Sequence, residues 1–404
     1  MSGTLAQPAA DAHLDQRWLR GMLEELAAIE RPSASAGERR AAEWVHGRFA
    51  DLGIEARIET EPAQGTYWWP LGIGAGAGAI AGLAALRGRR VTATALGTLA
   101  AVAMADEFPP HQRRLRGLLP GRETENVVAE LGPADAERTV VLVAHHDAAH
   151  SGLVFHPAIP ETIFNRWGVP IELFDTSPPL MFPVLAGPVL GALAGISGSR
   201  LAAKLAVLFG AGSAAAMADI GVRPVVPGAN DNGTAVVLLV ALARRLLAEP
   251  TANTRVILLS AGSEESFSEG MKAFGERHFG DLPRESTFFL CVDTVGSPHL
   301  CALRGEGFLR MHDYRPEALA LLDGLIEELG LEVTPNLRLH NGTDALEAHA
   351  AGYPTAALCS VTDLKQPANY HWPTDVPENV DDDTLADAIR LSEAVVRRLD
   401  ERWL

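Results

Sequence analysis

The chain has 404 residues, 47% of them hydrophobic, enough for one large α/β domain or two ordinary ones around a substantial core. Its net charge of −17 argues against a nucleic-acid partner, because phosphate recognition needs a concentrated basic surface. Three cysteines, none in a C-x-x-C pair, argue against a disulfide framework or a thiolate metal site and suit small buried thiols.

Residues 1–16 have neither a basic n-region nor an apolar h-region, so no cleavable secretory signal is expected. Residues 14–52 read as two amphipathic helices, with Leu19, Met22, Leu23 and Leu26 and then Ala41, Val45 and Phe49 at helical spacing. Ser35 is expected to cap the second helix, with Glu38 three residues on as in a capping box. Residues 53–58 alternate and predict a strand.

Two pairs of apolar runs follow. Residues 71–86 and 91–105 flank Arg87-Gly88-Arg89-Arg90, and residues 180–196 pair with 201–217, which carries a single Lys204. Gly74, Gly78 and Gly82 recur every fourth residue, a smooth strip that lets a partner backbone approach closely. Trp68 and Trp69 suit a membrane interface, although each run falls short of the roughly 20 residues that span a bilayer unaided. Pro183, Pro188 and Lys204 favour the other arrangement, a soluble helical layer buried against the main domain or in a homodimer. Membrane association is the favoured expectation, ahead of a cytoplasmic location. Its orientation stays open: Arg87, Arg89, Arg90 and Arg200 would hold the connecting loops in the cytoplasm, and Arg113, Arg114 and Arg116 pull the other way.

Elsewhere strands at residues 126–131, 139–144, 255–260, 287–292 and 355–359 alternate with helices at 234–247, 316–329 and 382–399. This predicts an α/β fold with a mixed, mostly parallel sheet sandwiched by helices and interrupted by two apolar helical hairpins. The α/β unit would comprise residues 1–66, 123–150 and 226–404. The hairpins would occupy 67–122 and 151–225.

In such sheets ligands gather beyond the carboxyl ends of the strands. There the sequence sets His145-His146-Asp147, Gly262-Ser263-Glu264-Glu265, Asp293 and Tyr370-His371, and a fifth cluster, Gly228-Ala229-Asn230-Asp231-Asn232-Gly233, opens a helix. Each alone has an ordinary reading as a turn, a cap or a solvated face. Their repetition at one sheet edge points to a site. Imidazole and carboxylate donors without thiolate suit a hydrolytic zinc site with open positions. Two histidines and three carboxylates suffice for two ions sharing one bridging carboxylate. Of two adjacent glutamates, one can bind metal while the other serves as general base.

These motifs, in this order, resemble the co-catalytic dizinc aminopeptidases, a family of zinc exopeptidases that includes glutamate carboxypeptidases and glutaminyl cyclases. The likeness covers residues 14–58 and 126–399 outside the apolar pairs. It implies two zinc ions, with other divalent metals as substitutes, and a peptide or small amide substrate. By that resemblance His145 and Asp293 ligate one ion, Glu265 and His371 the other, and Asp231 bridges them. Glu264 is the base, Asp147 orients His145, and Tyr370 matches a tyrosine that steadies the oxyanion in some members. Gly342-Thr343-Asp344 matches a scaffold loop. His146, His150 and His156 match no ligand and are expected to line the entrance or face water. The chain departs from the family in separating His145 from Asp231 by 86 positions (231 − 145), the span that holds the second apolar pair. Carboxypeptidase, dipeptidase and glutaminyl cyclase activities remain alternatives on the same scaffold, and a non-catalytic binding module is the alternative of another class.

Overall fold

The computed structural model describes residues 16–110, 113–167 and 174–404. Helix α1 (Gln16–Ala27) buries Leu19, Met22, Leu23 and Leu26, the stripe expected from spacing. The expected start at residue 14 lies outside the described residues. Helix α2 (Ala36–Asp51) begins at Ser35, whose hydroxyl accepts the N–H groups of Gly37 and Glu38. The capping box is not completed. The Glu38 carboxyl is buried and turns inward to the hydroxyls of Thr124 and Ser263, because a buried carboxyl needs several hydrogen-bond partners and Ser35 N–H offers one. Gly53, at φ +77°, bonds back to the Ala50 carbonyl and ends α2. The first strand, β1 (Ala56–Ala63), therefore starts later than residue 53 and runs further.

The other strands of the main sheet are β2 (Arg122–Leu131), β3 (Arg138–His145), β4 (Thr254–Ala261), β5 (Thr287–Val292) and β6 (His299–Ala302). Short strands β7 (Gly305–Glu306), β8 (His312–Asp313) and β9 (Arg338–Leu339) form a small second sheet, and β10 (Thr355–Val361) returns to the first. The seven-stranded order is β1-β2-β4-β3-β5-β10-β6. Central strands β4, β3, β5 and β10 run parallel, while the β1–β2, β2–β4 and β10–β6 pairings are antiparallel.

Alternation along β3 feeds two cores. Val140, Leu142 and Ala144 pack with α1, α2, α8 (Thr234–Ala248), α10 (Pro316–Leu329) and α12 (Asp382–Glu401). Val141 and Val143 pack on the opposite face with α9 (Glu269–His278) and α11 (Ala345–Ala350). The sheet is covered on both faces, as parallel strands require. Cys291, Cys301 and Cys359 are buried free thiols.

The apolar runs become two helical hairpins, α3 (Trp68–Leu86) with α4 (Arg90–Glu107), and α6 (Phe182–Ser197) with α7 (Arg200–Val222), the latter preceded by α5 (Ala158–Trp167). They join as one four-helix bundle. Glycines set its spacing: a Cβ on Gly78 would lie 2.4 Å from Pro188 N, one on Gly97 2.4 Å from Ala192 N, and one on Gly210 2.5 Å from Ala79 N. The outward faces remain apolar on all four helices, with Ile80, Leu99, Leu193 and Leu208 exposed among others. By length and composition α3 and α7 could each cross a membrane, and α6 is a shorter apolar helix.

Candidate metal centre

Four of the site segments leave the carboxyl ends of parallel strands. His145 closes β3, Glu264 and Glu265 follow β4, Asp293 follows β5, and His371 lies in the loop after β10. Asp231 comes from the turn that opens α8. Its two carboxylate oxygens face different imidazoles: Oδ1 lies 3.3 Å from His145 Nε2, and Oδ2 lies 3.3 Å from His371 Nε2. Glu265 Oε2 is 3.1 Å from His371 Nε2, Asp293 Oδ2 is 3.9 Å from His145 Nε2, and Glu264 Oε2 is 3.8 Å from the same nitrogen. Three ligand-like triads result among the described residues, His145–Asp231–Asp293, Asp231–Glu265–His371 and His145–Glu264–Glu265.

The residues around these donors hold them in place. Asp147 Oδ1 lies 3.2 Å from His145 Nδ1, and the same carboxylate accepts the Glu264 and Glu265 N–H groups at 3.0 and 3.1 Å and the Ser33 hydroxyl at 2.6 Å. Asn230 and Asn232 clamp the Asp293 loop from either side of Asp231. Asn232 accepts Thr294 N–H and donates to the Val292 carbonyl, and Asn230 accepts Gly296 N–H. Such supporting contacts fix the orientation and basicity of metal ligands.

Three supports escaped the sequence reading. Asp375 accepts the N–H groups of Asn230 and Asp231 at 2.7 and 3.1 Å. Buried Arg31 ties the first motif to the Asp231 turn, donating to the His146, Pro227 and Gly228 carbonyls. Glu38 accepts the Ser263 N–H and hydroxyl at 2.9 and 2.7 Å, fixing the residue ahead of Glu264. Of these, only Glu38 carried a sequence signal, its place three residues after a helix cap.

His146 needs correction. It does not line an entrance: strand alternation turns it from the His145 face into the interior, where it is fully buried with Nδ1 3.0 Å from Ser260 Oγ. Burial, with His145 and Arg31 nearby, lowers its pKa to about 4. His150 packs edge-on to Trp68 with Nδ1 2.7 Å from the Arg223 carbonyl, and His156 packs on Trp372. Tyr370 stacks on His371, and its hydroxyl accepts the Asn341 Nδ2 donor at 3.1 Å.

The donor set suits divalent cations. Among the described residues, His145 Nε2 and Glu265 Oε1 are buried without an aligned hydrogen-bond partner. Burial first, then Glu265 and Asp293, push Glu264 well above the usual carboxylate range. Burial, then Asp231 and Glu265, does the same to Asp293. Burial opposes charge on His371, yet Glu265 and Asp231 raise it to about 10. Crowded carboxylates that share protons with imidazoles are the arrangement a bound cation relieves, since it favours ionised carboxylate and neutral imidazole.

Residues 215–396 match the model of peptidase family M28. That span contains Asp231, Glu264, Glu265, Asp293 and His371, while His145 and Asp147 lie beyond the inserted helices. An aminopeptidase from Aneurinibacillus sp. strain AM-1 is similar with a TM-score of 0.57 at 12% identity, over 95% of this chain and 93% of that one. A glutaminyl cyclase from an Acidobacteriales bacterium gives 0.57 at 13% identity over 99% and 100%. The zinc aminopeptidase BSAP from Bacillus subtilis gives 0.53 at 13% over 96% of each chain. At these identities the likeness is one of fold. No curated protein matches the chain in sequence. The resemblance drawn from motifs thus meets a matching family model and a matching architecture.

Proposed function

With a peptidase-family match and a zinc-exopeptidase architecture as premises, we propose that this chain is a metal-dependent exopeptidase, specifically an aminopeptidase that hydrolyses the N-terminal bond of a peptide or small amide. The observation that carries the reading is the double-faced Asp231, one oxygen toward His145 and the other toward His371. His145, Asp231 and Asp293 would hold one zinc ion, and Asp231, Glu265 and His371 a second.

When bound, the ions acidify water and polarise the scissile carbonyl. Glu264, supplied by the turn that Asp147 holds, accepts the proton of the attacking water and returns it to the leaving amine. The Asn341 amide donates to the Tyr370 oxygen, which leaves the phenolic O–H to donate toward a developing oxyanion. Likeness to a glutaminyl cyclase keeps one rival reading, in which the substrate's own amine replaces water. Metal analysis with free-amino, blocked and N-terminal glutaminyl substrates separates them. About two zinc ions per chain and chelator-sensitive release of N-terminal residues are expected. Turnover indifferent to chelators would end the metal reading.

The apolar bundle supports attachment to a bilayer as the second part of this reading. At about 1.5 Å per residue α3 and α7 are roughly 28 and 34 Å long, close to the ~30 Å of a hydrocarbon core. Exposed apolar residues ring all four helices, a pattern suited to lipid more than to one flat protein interface. Arg87, Arg89, Arg90 and Arg200 sit exposed at the distal loops. Arg113 and Arg116 are buried and paired, with Glu347 and with Glu107 and Glu269 respectively, which leaves Arg114, exposed and 3.1 Å from Asp106, as the one of the three that faces solvent. The positive-inside rule then favours distal loops in the cytoplasm and the α/β unit on the other side. Recovery in carbonate-washed membranes is the expected result. A soluble dimer of defined mass would replace lipid by a second copy.

A further inference from the structure

A cavity of about 900 Å³ reaches the metal-ligand cluster, and its two walls differ in kind. Asp231, Glu264, Glu265, Asp293 and His371 form one end. The other belongs mainly to the bundle, with loops at 177–180, 339–343 and 365–367 adding a few polar side chains such as Ser177, Asn341 and Gln366 to a mostly apolar lining. Val184, Met217 and Ile220 line its inner part and are buried, whereas Phe182, Leu208 and Phe209 line it where they are also exposed on the outside of α6 and α7. Beyond the cluster, Lys365 is the one cationic side chain among the described lining residues, and its ammonium donates to the Phe174 carbonyl. The cavity is therefore continuous from the acidic centre to the apolar outer surface of a helix long enough to cross a membrane.

Such a wall offers few partners to a peptide backbone, whose amides would lose water without replacement. An aliphatic chain loses nothing there and leaves water with it. We infer that the substrate is an amide carrying a long aliphatic chain, which lies along α6 and α7 with its amide at the metal-ligand cluster, and that it reaches the site sideways from lipid. The inference rests on the reading of the centre as a metal-dependent amide hydrolase. The hydrolysis it implies consumes water: the C–N bond breaks, hydroxyl joins the acyl carbon, and the proton goes to the amine.

Gly212 of α7 supplies a sharp test. It lines the cavity at a point where α7 is exposed, and a Cβ there would meet nothing within 4 Å, so a large side chain can be placed at the cavity's rim without a clash. Replacing glycine within a helix also favours helix formation. The full-length zinc-loaded chain, reconstituted in phosphatidylcholine nanodiscs, is assayed with straight-chain anilides of rising length, from acetyl to myristoyl. One arm carries a free α-amine and the other has none, which shows whether the lipid-like substrate is an aminoacyl or a simple acyl amide. In the wild type kcat/KM should rise roughly two- to fourfold per methylene until the cavity is filled. Gly212→Phe should move that limit to shorter chains and cut the long-to-short ratio at least about tenfold. A flat length profile with ready cleavage of short substrates, or a profile that Gly212→Phe leaves unmoved, overturns the aliphatic substrate and leaves the hydrolase standing. Cleavage of nothing in either arm, with zinc bound, overturns both.

Discussion

Asp147 accepts the backbone N–H of Glu264 at 3.0 Å while its Oδ1 lies 3.2 Å from His145 Nδ1. One carboxylate thus sets both the orientation of the imidazole proposed to bind metal and the position of the proposed general base. Asp147→Asn keeps the shape but places an amide donor against N–H donors. Zinc affinity should fall about 10- to 100-fold, with kcat falling in zinc-saturated enzyme as well. Competitive titration with a zinc chelator and saturation kinetics measure the two effects; loss of affinity with unchanged kcat would limit Asp147 to the histidine.

Glu264→Gln should separate binding from turnover. Loss of the proton acceptor should lower kcat by about 10²- to 10⁴-fold, while near-stoichiometric zinc remains because Glu265, the adjacent residue, keeps its place beside His371. Substantial residual activity would take the role of base away from Glu264.

Glu306 provides a pH dependence outside the proposed ligand set. It is fully buried, accepting from Tyr314 Oη and Thr343 N–H at 2.8 Å each, and burial raises its pKa from 4.5 to about 7. The folded state holds this proton where the unfolded chain releases it. The associated stability is complete below pH 4.5 and is lost as pH rises to about 7, a change of up to about 3 kcal/mol. Glu306→Gln should lessen the slope of the thermal-midpoint profile across that window by its own share, because burial also raises Asp344 and Asp375 to about 7 and they contribute in the same direction. An unaltered profile would mean that another group titrates there.

The bundle should be intolerant at one glycine and indifferent at its neighbour. A Cβ on Gly210 meets the Ala79 backbone at 2.5 Å, whereas Gly212 faces open space. Gly210→Val should cost about 1–3 kcal/mol through overpacking, and Gly212→Ala should be neutral or slightly stabilising. Calorimetry of both variants in the same bilayer mimic decides the matter, and equal midpoints would argue against backbone-close packing.

The fold and the positions of the central side chains were legible because each rests on a local pattern. Buried strands read as β-branched runs, Ser35 as a helix cap, and the acidic and histidine clusters as residues set just past strand ends. Asp375 and Arg31 were silent because their partners are backbone groups distant in sequence: Arg31 reaches Pro227 and Gly228, and Asp375 reaches Asn230 and Asp231. Glu38 was visible but misassigned, since a capping pattern does not reveal that burial will draw the carboxylate to Ser263. His146 was misplaced because matching no ligand was taken to mean facing the entrance or water, whereas its imidazole packs inward against Ser260.

Although encoded far apart, the two hairpins are notched to fit one another: Gly210 of the second receives the Ala79 backbone of the first, and Gly97 of the first receives Ala192 of the second. Neither has a finished surface alone. A descendant that shed one hairpin would expose unfilled grooves along the other, so the pair should be inherited or discarded together across relatives. Any ancestor with a single hairpin would have needed bulkier residues where these glycines now stand.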